Sequence, residues 1–172
     1  HPVHVTLRAR SAAGRLRVAP VFEALRDAIS AASGTDFRVV HFSVQHDHVH
    51  LLCETEDERS LSLGMRGLSI RLARAVNRAA YRSGPVWAER YHARTLKTPR
   101  EVRNCLVYIL MNGRKHEPGW TEAIDLCSSA PWFDGFRAPA PEPASDVAPV
   151  ARPQSWLARV GWKRLGLIGL EE

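Results

Sequence analysis

Residues 45–52 read QHDHVHLL. Along a β-strand successive side chains alternate between faces, so His48 and His50 would project together while Val49 and Leu51 turn toward a core. Two imidazoles on one side of a rigid strand supply half of a metal site at little ordering cost. Two exposed histidines on the open face of a sheet would satisfy the same pattern. Further along, Asn104, Tyr108 and Asn112 recur every four residues and Lys115 continues the row, while Val102, Leu106 and Ile109 form a parallel apolar stripe. A tyrosine between two asparagines is not a core pattern, although a half-buried helix surface could carry it. Its hydroxyl, with a pKa of about 10, is a poor nucleophile unless the electrophile is activated and the line of attack fixed. A divalent ion bound to a phosphate would do both. The histidine pair and the tyrosine together favour a nuclease site over either bland reading.

The elements that must carry these residues can be read from pattern and punctuation. Val3–Arg10 reads as a strand. Pro20 opens a helix with Phe22, Leu25, Ile29 and Ala32 on one face, and Gly34 stands where a C-terminal cap belongs. Phe37–Val44 and His48–Glu54 are β-rich runs around a short polar break, a hairpin. Ser60–Ser83 reads as a long helix stopped by Gly84-Pro85. Its apolar face is Leu61, Met65, Leu68, Leu72 and Val76, and Arg71, Arg74, Arg78 and Arg82 mark the other face. Tyr91–Lys97 is a fourth strand. Thr98-Pro99-Arg100-Glu101 is a capping box with proline at the first helical position, starting a helix that runs to about Arg114. The order β-α-β-β-α-β plus a helix is the ferredoxin-like split βαβ arrangement. It predicts an α+β fold, an antiparallel sheet with helices on one face and an added C-terminal catalytic helix.

Composition changes near residue 117. Seven of the 11 prolines and four of the five tryptophans lie beyond it, and Ala138–Pro153 is rich in proline and alanine. A compact domain is expected at 1–116, followed by an extended tail at 117–172. The tail carries an apolar-basic segment at 153–170 (Trp156, Leu157, Val160, Trp162, Leu165 and Ile168 around Arg159, Lys163 and Arg164) that would dock on the domain or a partner. Cys53, Cys105 and Cys127 match no zinc or redox spacing and read as small hydrophobes in a reducing compartment. No apolar run approaches the roughly 20 residues of a membrane span, so no membrane role is expected.

Net charge is +6, yet it is unevenly spread. Residues 1–116 hold 19 Lys/Arg against 10 Asp/Glu, and residues 117–172 hold 5 against 8. Between 59 and 115, 13 basic residues face only Glu89 and Glu101. Arginine dominates, and its planar fork suits phosphate. Four arginines at helical spacing without an acidic partner point to a phosphate-contacting face, where a mixed-charge row would be read as merely solvated. Trp87 and Tyr91, beside Arg90 and Arg94, could stack on unpaired bases or simply belong to the core.

Over roughly residues 1–116 the chain resembles the HUH single-tyrosine transposases, and among them the REP-associated tyrosine transposases. The resemblance rests on HPVHVTLR (1–8), the histidine-hydrophobe-histidine at 48–50, RYHARTL (90–96) and EVRNCLVYILMN (101–112). It implies that His48 and His50 are metal ligands, that Asn112 completes the site, and that Tyr108 is the nucleophile. Two positions depart from the family pattern. Asp47 stands where relatives often carry Asn, and Gly113 where they often carry Pro. The implied activity is cleavage and rejoining of single-stranded DNA beside a hairpin, through a 5′-phosphotyrosine and a free 3′-hydroxyl, with Mg²⁺ or Mn²⁺. The expected partner is hairpin DNA at palindromic repeat ends, contacted by Arg71, Arg74, Arg78, Arg82, Arg90, Arg94 and Lys115. A cytoplasmic, nucleoid-associated monomer is expected, a dimer being the alternative. The rival functions are a non-catalytic binder of palindromic repeats and a small-molecule metallohydrolase. The second leaves the arginines unexplained.

Overall fold

The computed structural model describes all residues except 112, 114–120 and 144. The elements follow the order β1 (Val3–Arg8), α1 (Ala19–Ser30), β2 (Phe37–Val44), β3 (His48–Thr55), α2 (Glu58–Ala79), β4 (His92–Thr95) and α3 (Pro99–Met111). Past residue 120 come short 3₁₀ turns and a single helical turn, α4 (Trp156–Arg159). The four strands form one antiparallel sheet in the order β2-β3-β1-β4, the topology expected from the sequence. Among the described residues no helix is long and apolar enough to cross a membrane.

One expectation about the layers needs correction: the sheet is covered on both faces. Val5, Leu7, Phe42, Val44, Val49 and Leu51 point toward α1 and α2 and pack with Leu25, Ile29, Met65, Leu68 and Leu72. On the opposite face, Val40 and Leu52 meet Val102, Leu106 and Ile109 of α3, and residues of the tail join them. Parity explains most of this, since the strands alternate Val-His-Val-Thr-Leu and Val-His-Leu-Leu-Cys. In β2 a bulge between Val39 and His41 resets the alternation. Val40 and His41 thereby both reach the α3 side, while Val39 and Phe42 serve the other core.

Helix boundaries also differ from the periodicity. Helix α2 starts at Glu58, ahead of the expected Ser60, because Asp57 caps it; its carboxylate accepts the Ser60 amide at 2.7 Å and is held below the usual carboxylate range by that bond. The helix ends at Ala79, ahead of Gly84-Pro85, because Tyr81 takes a left-handed backbone (φ 50°) and the Arg82 amide bonds back to the Asn77 carbonyl. Gly64 is required where α2 crosses β2. A Cβ there would stand 2.2 Å from the Phe37 ring.

The segment after residue 120 closes the second core. Trp162 is buried, stacks on Phe133 at 5.5 Å between centroids, and donates its indole N–H to the Ala158 carbonyl. A buried tryptophan of this kind is worth about 3–5 kcal/mol against alanine. Of the apolar set read in 153–170, Leu157, Trp162 and Ile168 are buried, whereas Trp156, Val160 and Leu165 stay exposed. Polar groups fasten the segment at three points. Arg17 donates a bidentate pair to the buried Asp125 at 3.1 and 2.9 Å, and Glu54 accepts the Gln154 and Ser155 amides that begin α4. Arg103 of α3 grips Glu172 at 2.8 and 2.7 Å. Cys53 and Cys105 are buried, and burial pushes the Cys105 thiol up to about 12, so both behave as hydrophobes.

His41 sits inside this second core, 3.1 Å from the Ser129 hydroxyl and edge-on to Phe133. Burial lowers its pKa to about 4, with Asp134 opposing the shift. The unfolded chain therefore takes up a proton below about pH 6.5 that the folded chain refuses until about pH 4. This contribution is present above pH 6.5 and is lost as pH falls through that window, by up to about 3 kcal/mol. Urea melts of wild type and His41→Gln across pH 7 to 4 should show a shallower acid loss in the variant; parallel curves would refute the assignment.

Candidate active site

The β1–β3 ladder sets Thr6 opposite His50, Arg8 opposite His48 and His4 opposite Leu52. All of these side chains share the sheet face that α3 covers. The capping box starts α3 as the sequence predicts. Thr98 Oγ1 accepts the Glu101 amide at 3.2 Å, and the Glu101 carboxylate accepts the Thr98 and Lys97 amides. These bonds, with the Arg94 guanidinium at 2.9 Å, hold the Glu101 carboxyl below its ordinary range. From this fixed start Val102, Leu106 and Ile109 lie buried against the sheet, and Tyr108, half-buried beside them, reaches the histidines.

The Tyr108 hydroxyl lies 3.2 Å from His50 Nε2. The rings of His50 and Tyr108 cross at 4.8 Å between centroids, and those of His48 and His50 at 4.6 Å. His50 is buried, and its Nδ1 lies 3.2 Å from both His4 Nε2 and Thr6 Oγ1. Burial first, and the Arg94 charge second, lower the pKa of His4 and favour its neutral form. His48 is held from the other side: its Nδ1 donates to Asp47 Oδ1 at 2.6 Å. Arg8 Nε stands 3.8 Å from the second Asp47 oxygen.

Two imidazoles on one strand face, with Nδ1 of His48 engaged by a carboxylate, suit a divalent ion chemically. They form half of a ligand set, and among the described residues no group of three His, Cys, Asp or Glu side chains could hold an ion by itself. Asn112, expected as the further ligand, lies outside the described residues, as does Lys115.

The expected DNA-contacting arginines do not gather at this centre. Arg71, Arg74 and Arg78 line a groove of about 460 Å³ between α1 and α2, on the far side of the sheet from Tyr108. Arg71 also donates to the Ala31 carbonyl. Arg82 has left the helix and bonds Asn77 and the Pro85 carbonyl, so the four-arginine row ends at Arg78. Arg90 lies over the Tyr91 ring, and Arg94 pairs with Glu101. Trp87 donates its indole N–H to the Ser69 carbonyl and borders the first core with Tyr91. Sequence reasoning gave no site role to His4, Thr6 or Arg8, and marked Asp47 only as a departure from the family pattern. Alternation within residues 3–8 exposes the first three, once the pairing partner of β1 is known.

The strand order and the added helix, with its tyrosine set against two strand histidines, define a ferredoxin-like α+β domain. The chain belongs to the IS200-like transposase family, whose model matches residues 3–112. The fold is similar to that of a REP-associated tyrosine transposase solved bound to a REP hairpin, with a TM-score of 0.56 and 20% identity over 70% of this chain and 69% of that one. A candidate transposase from Deinococcus radiodurans R1 is similar over 69% of this chain and 92% of that one, at 17% identity and a TM-score of 0.48. No curated protein matches the chain.

If His48 and His50 are ligands, replacing either with alanine should weaken Mn²⁺ binding by more than the roughly 10–100-fold typical of losing an outer partner. Titration of free Mn²⁺ by electron paramagnetic resonance measures it. Wild-type affinity in both variants would remove the metal site.

Proposed function

We propose that the protein is a DNA transposase that cuts and rejoins one strand of DNA beside a hairpin, with Tyr108 as the nucleophile. The observation that carries this reading is the approach of the Tyr108 hydroxyl to His50 on a face shared with His48. Family membership supports the reaction class, and the geometry supports the roles.

In the forward step Tyr108 Oη attacks phosphorus, the bond from phosphorus to the 3′-oxygen breaks, and the 5′ end of the strand becomes linked to the tyrosine. The tyrosine proton is lost to solvent or a neighbouring base, and the leaving oxygen takes one up as a free 3′-hydroxyl. Rejoining reverses this with another 3′-hydroxyl. A divalent ion, Mn²⁺ or Mg²⁺, held by His48 and His50 with Asn112 as a further ligand, would offset charge on the phosphate oxygens. The chain's own work is placement. The capped helix fixes where Oη points, the ladder fixes the imidazoles, and Arg8 adds a cation on the same face. An attack along one strand is blocked in a stacked duplex, so the substrate is unpaired DNA flanking a hairpin. Arg71, Arg74 and Arg78 would hold phosphates in the groove behind the sheet, with Arg90 and Arg94 nearer the β4 edge.

Tyr108→Phe removes one oxygen and keeps the ring, so the variant should bind hairpin DNA and Mn²⁺ yet form neither adduct nor cut product. A labelled hairpin oligonucleotide, a denaturing gel and mass mapping of the adduct peptide decide it. Full cleavage by the variant, or a DNA-linked Tyr81 or Tyr91, would overturn the mechanism. Binding without any adduct by the wild type itself would favour a non-catalytic repeat binder.

Replacing Arg74 and Arg78 together with alanine should weaken DNA binding and lower the slope of log affinity against log salt by about one unit per lost phosphate contact. Cleavage at saturating DNA should be little changed, because the groove is remote from Tyr108. An unaltered slope would make the groove a merely solvated face.

A further inference from the structure

The sequence singled out Asp47 as a departure from the family pattern, and the proposed chemistry leaves it without a role. We propose that Asp47 is a positioning residue whose carboxylate fixes His48 in the tautomer that presents its Nε2 lone pair to a divalent ion. This rests on the reading of His48 as a metal ligand and adds what makes it one.

An ionised carboxylate only accepts, so the 2.6 Å contact from His48 Nδ1 requires the hydrogen on Nδ1. A neutral imidazole with Nδ1–H carries its lone pair on Nε2. The backbone around Asp47 is tied down, which gives the carboxylate a fixed origin. The Asp47 carbonyl accepts the Ala9 amide at 2.7 Å, the His46 carbonyl accepts the Leu16 amide at 2.9 Å, and Gln45 N–H donates to the His48 carbonyl at 2.8 Å. Arg8, 3.8 Å from the second oxygen, draws the carboxylate from the opposite side and favours its ionised state.

The two histidines are thus supported differently. His50 has neutral neighbours at Nδ1, the imidazole of His4 and the hydroxyl of Thr6. Among the described residues, the carboxylate of Asp47 gives His48 an anionic one. A carboxylate behind a ligating histidine orients the ring and raises its basicity, and its loss commonly costs 10–100-fold in metal affinity. An asparagine at position 47 could still accept from Nδ1–H through its amide oxygen. It would keep the tautomer and give up the charge. The chain-specific consequence is tighter ion binding with aspartate than with asparagine.

The test uses the full chain and two readouts. Nitrogen-15 chemical shifts of the His48 ring, measured on metal-free protein with the imidazoles neutral, should show a protonated Nδ1 in wild type and Asp47→Asn. Asp47→Ala should lose that preference. Mn²⁺ titration should give an affinity order of wild type, then Asp47→Asn, then Asp47→Ala, with the last weakened about 10–100-fold. Asp47 is exposed, so both variants should fold, and circular dichroism checks this. A wild-type His48 protonated on Nε2, or unchanged Mn²⁺ affinity in Asp47→Ala, would overturn the proposal. Mn²⁺ binding that also ignores His48→Ala would instead overturn the ligand reading, while the metal-free shifts still report whether Asp47 sets the tautomer.

Discussion

Thr6 faces His50 across the β1–β3 ladder, Arg8 faces His48, and His4 faces Leu52. Because side chains alternate with a period of two, this register decides which groups meet at the site. A slip of one residue would turn His48 and His50 into the core that holds Leu25 and Leu68, and expose Val49 and Leu51 to α3. The apolar residues on both faces resist such a slip, since each strand must satisfy two cores at once. The histidines are therefore placed by hydrophobic pairing of their neighbours, without any contribution from the metal or DNA they would bind.

The second constraint is the position of α3. Its apolar stripe rests on Val40 and Leu52, and its outer side is covered by Phe133, Leu157, Trp162 and Ile168. Tyr108 is held within reach of His50 because the helix is clamped between sheet and tail, with Arg103 and Glu172 closing the clamp. The tail's acidic residues are partly spent in this structural role: Asp125 on Arg17 and Glu172 on Arg103. A buried carboxylate such as Asp125 is costly to leave unpaired, on the order of 3–5 kcal/mol. Docking of the tail and integrity of the second core are thus energetically one event.

Much of this was legible from residue order. Period-two and period-3.6 patterns located the strands and helices, and the capping box at Thr98–Glu101 fixed the start of α3 to the residue. The histidine pair and tyrosine were found by spacing, and the ladder and α3 bring them together. What escaped were features that depend on partners distant in sequence. His4 and Thr6 are ordinary strand residues until β1 is known to lie beside β3. The second core was only partly visible: an apolar segment at 153–170 was expected to dock, whereas Ile124, Phe133 and Phe136 follow no helical or strand period. The end of α2 was missed because Tyr81 adopts a backbone more typical of glycine. The bulge in β2 leaves no signature in composition, yet it lets His41 face the tail.

The sheet also separates the two kinds of work proposed for this chain. Arg71, Arg74 and Arg78 occupy the α1–α2 side, while Tyr108, His48 and His50 occupy the other. A strand of DNA touching both would have to pass the β4 edge, which is exposed along its whole length. Arg90 and Arg94 stand at that edge, one over Tyr91 and one on Glu101, and both could exchange those weak surface partners for phosphate. Groups on opposite faces, with the sheet between them, should act additively in binding and chemistry. On the proposed reading, affinity would belong to the arginines and their salt dependence, and the bond-breaking step to the compact cluster of Tyr108, His48 and His50. Damage to either half would leave the other measurable, so the two can be studied apart in a single folded chain.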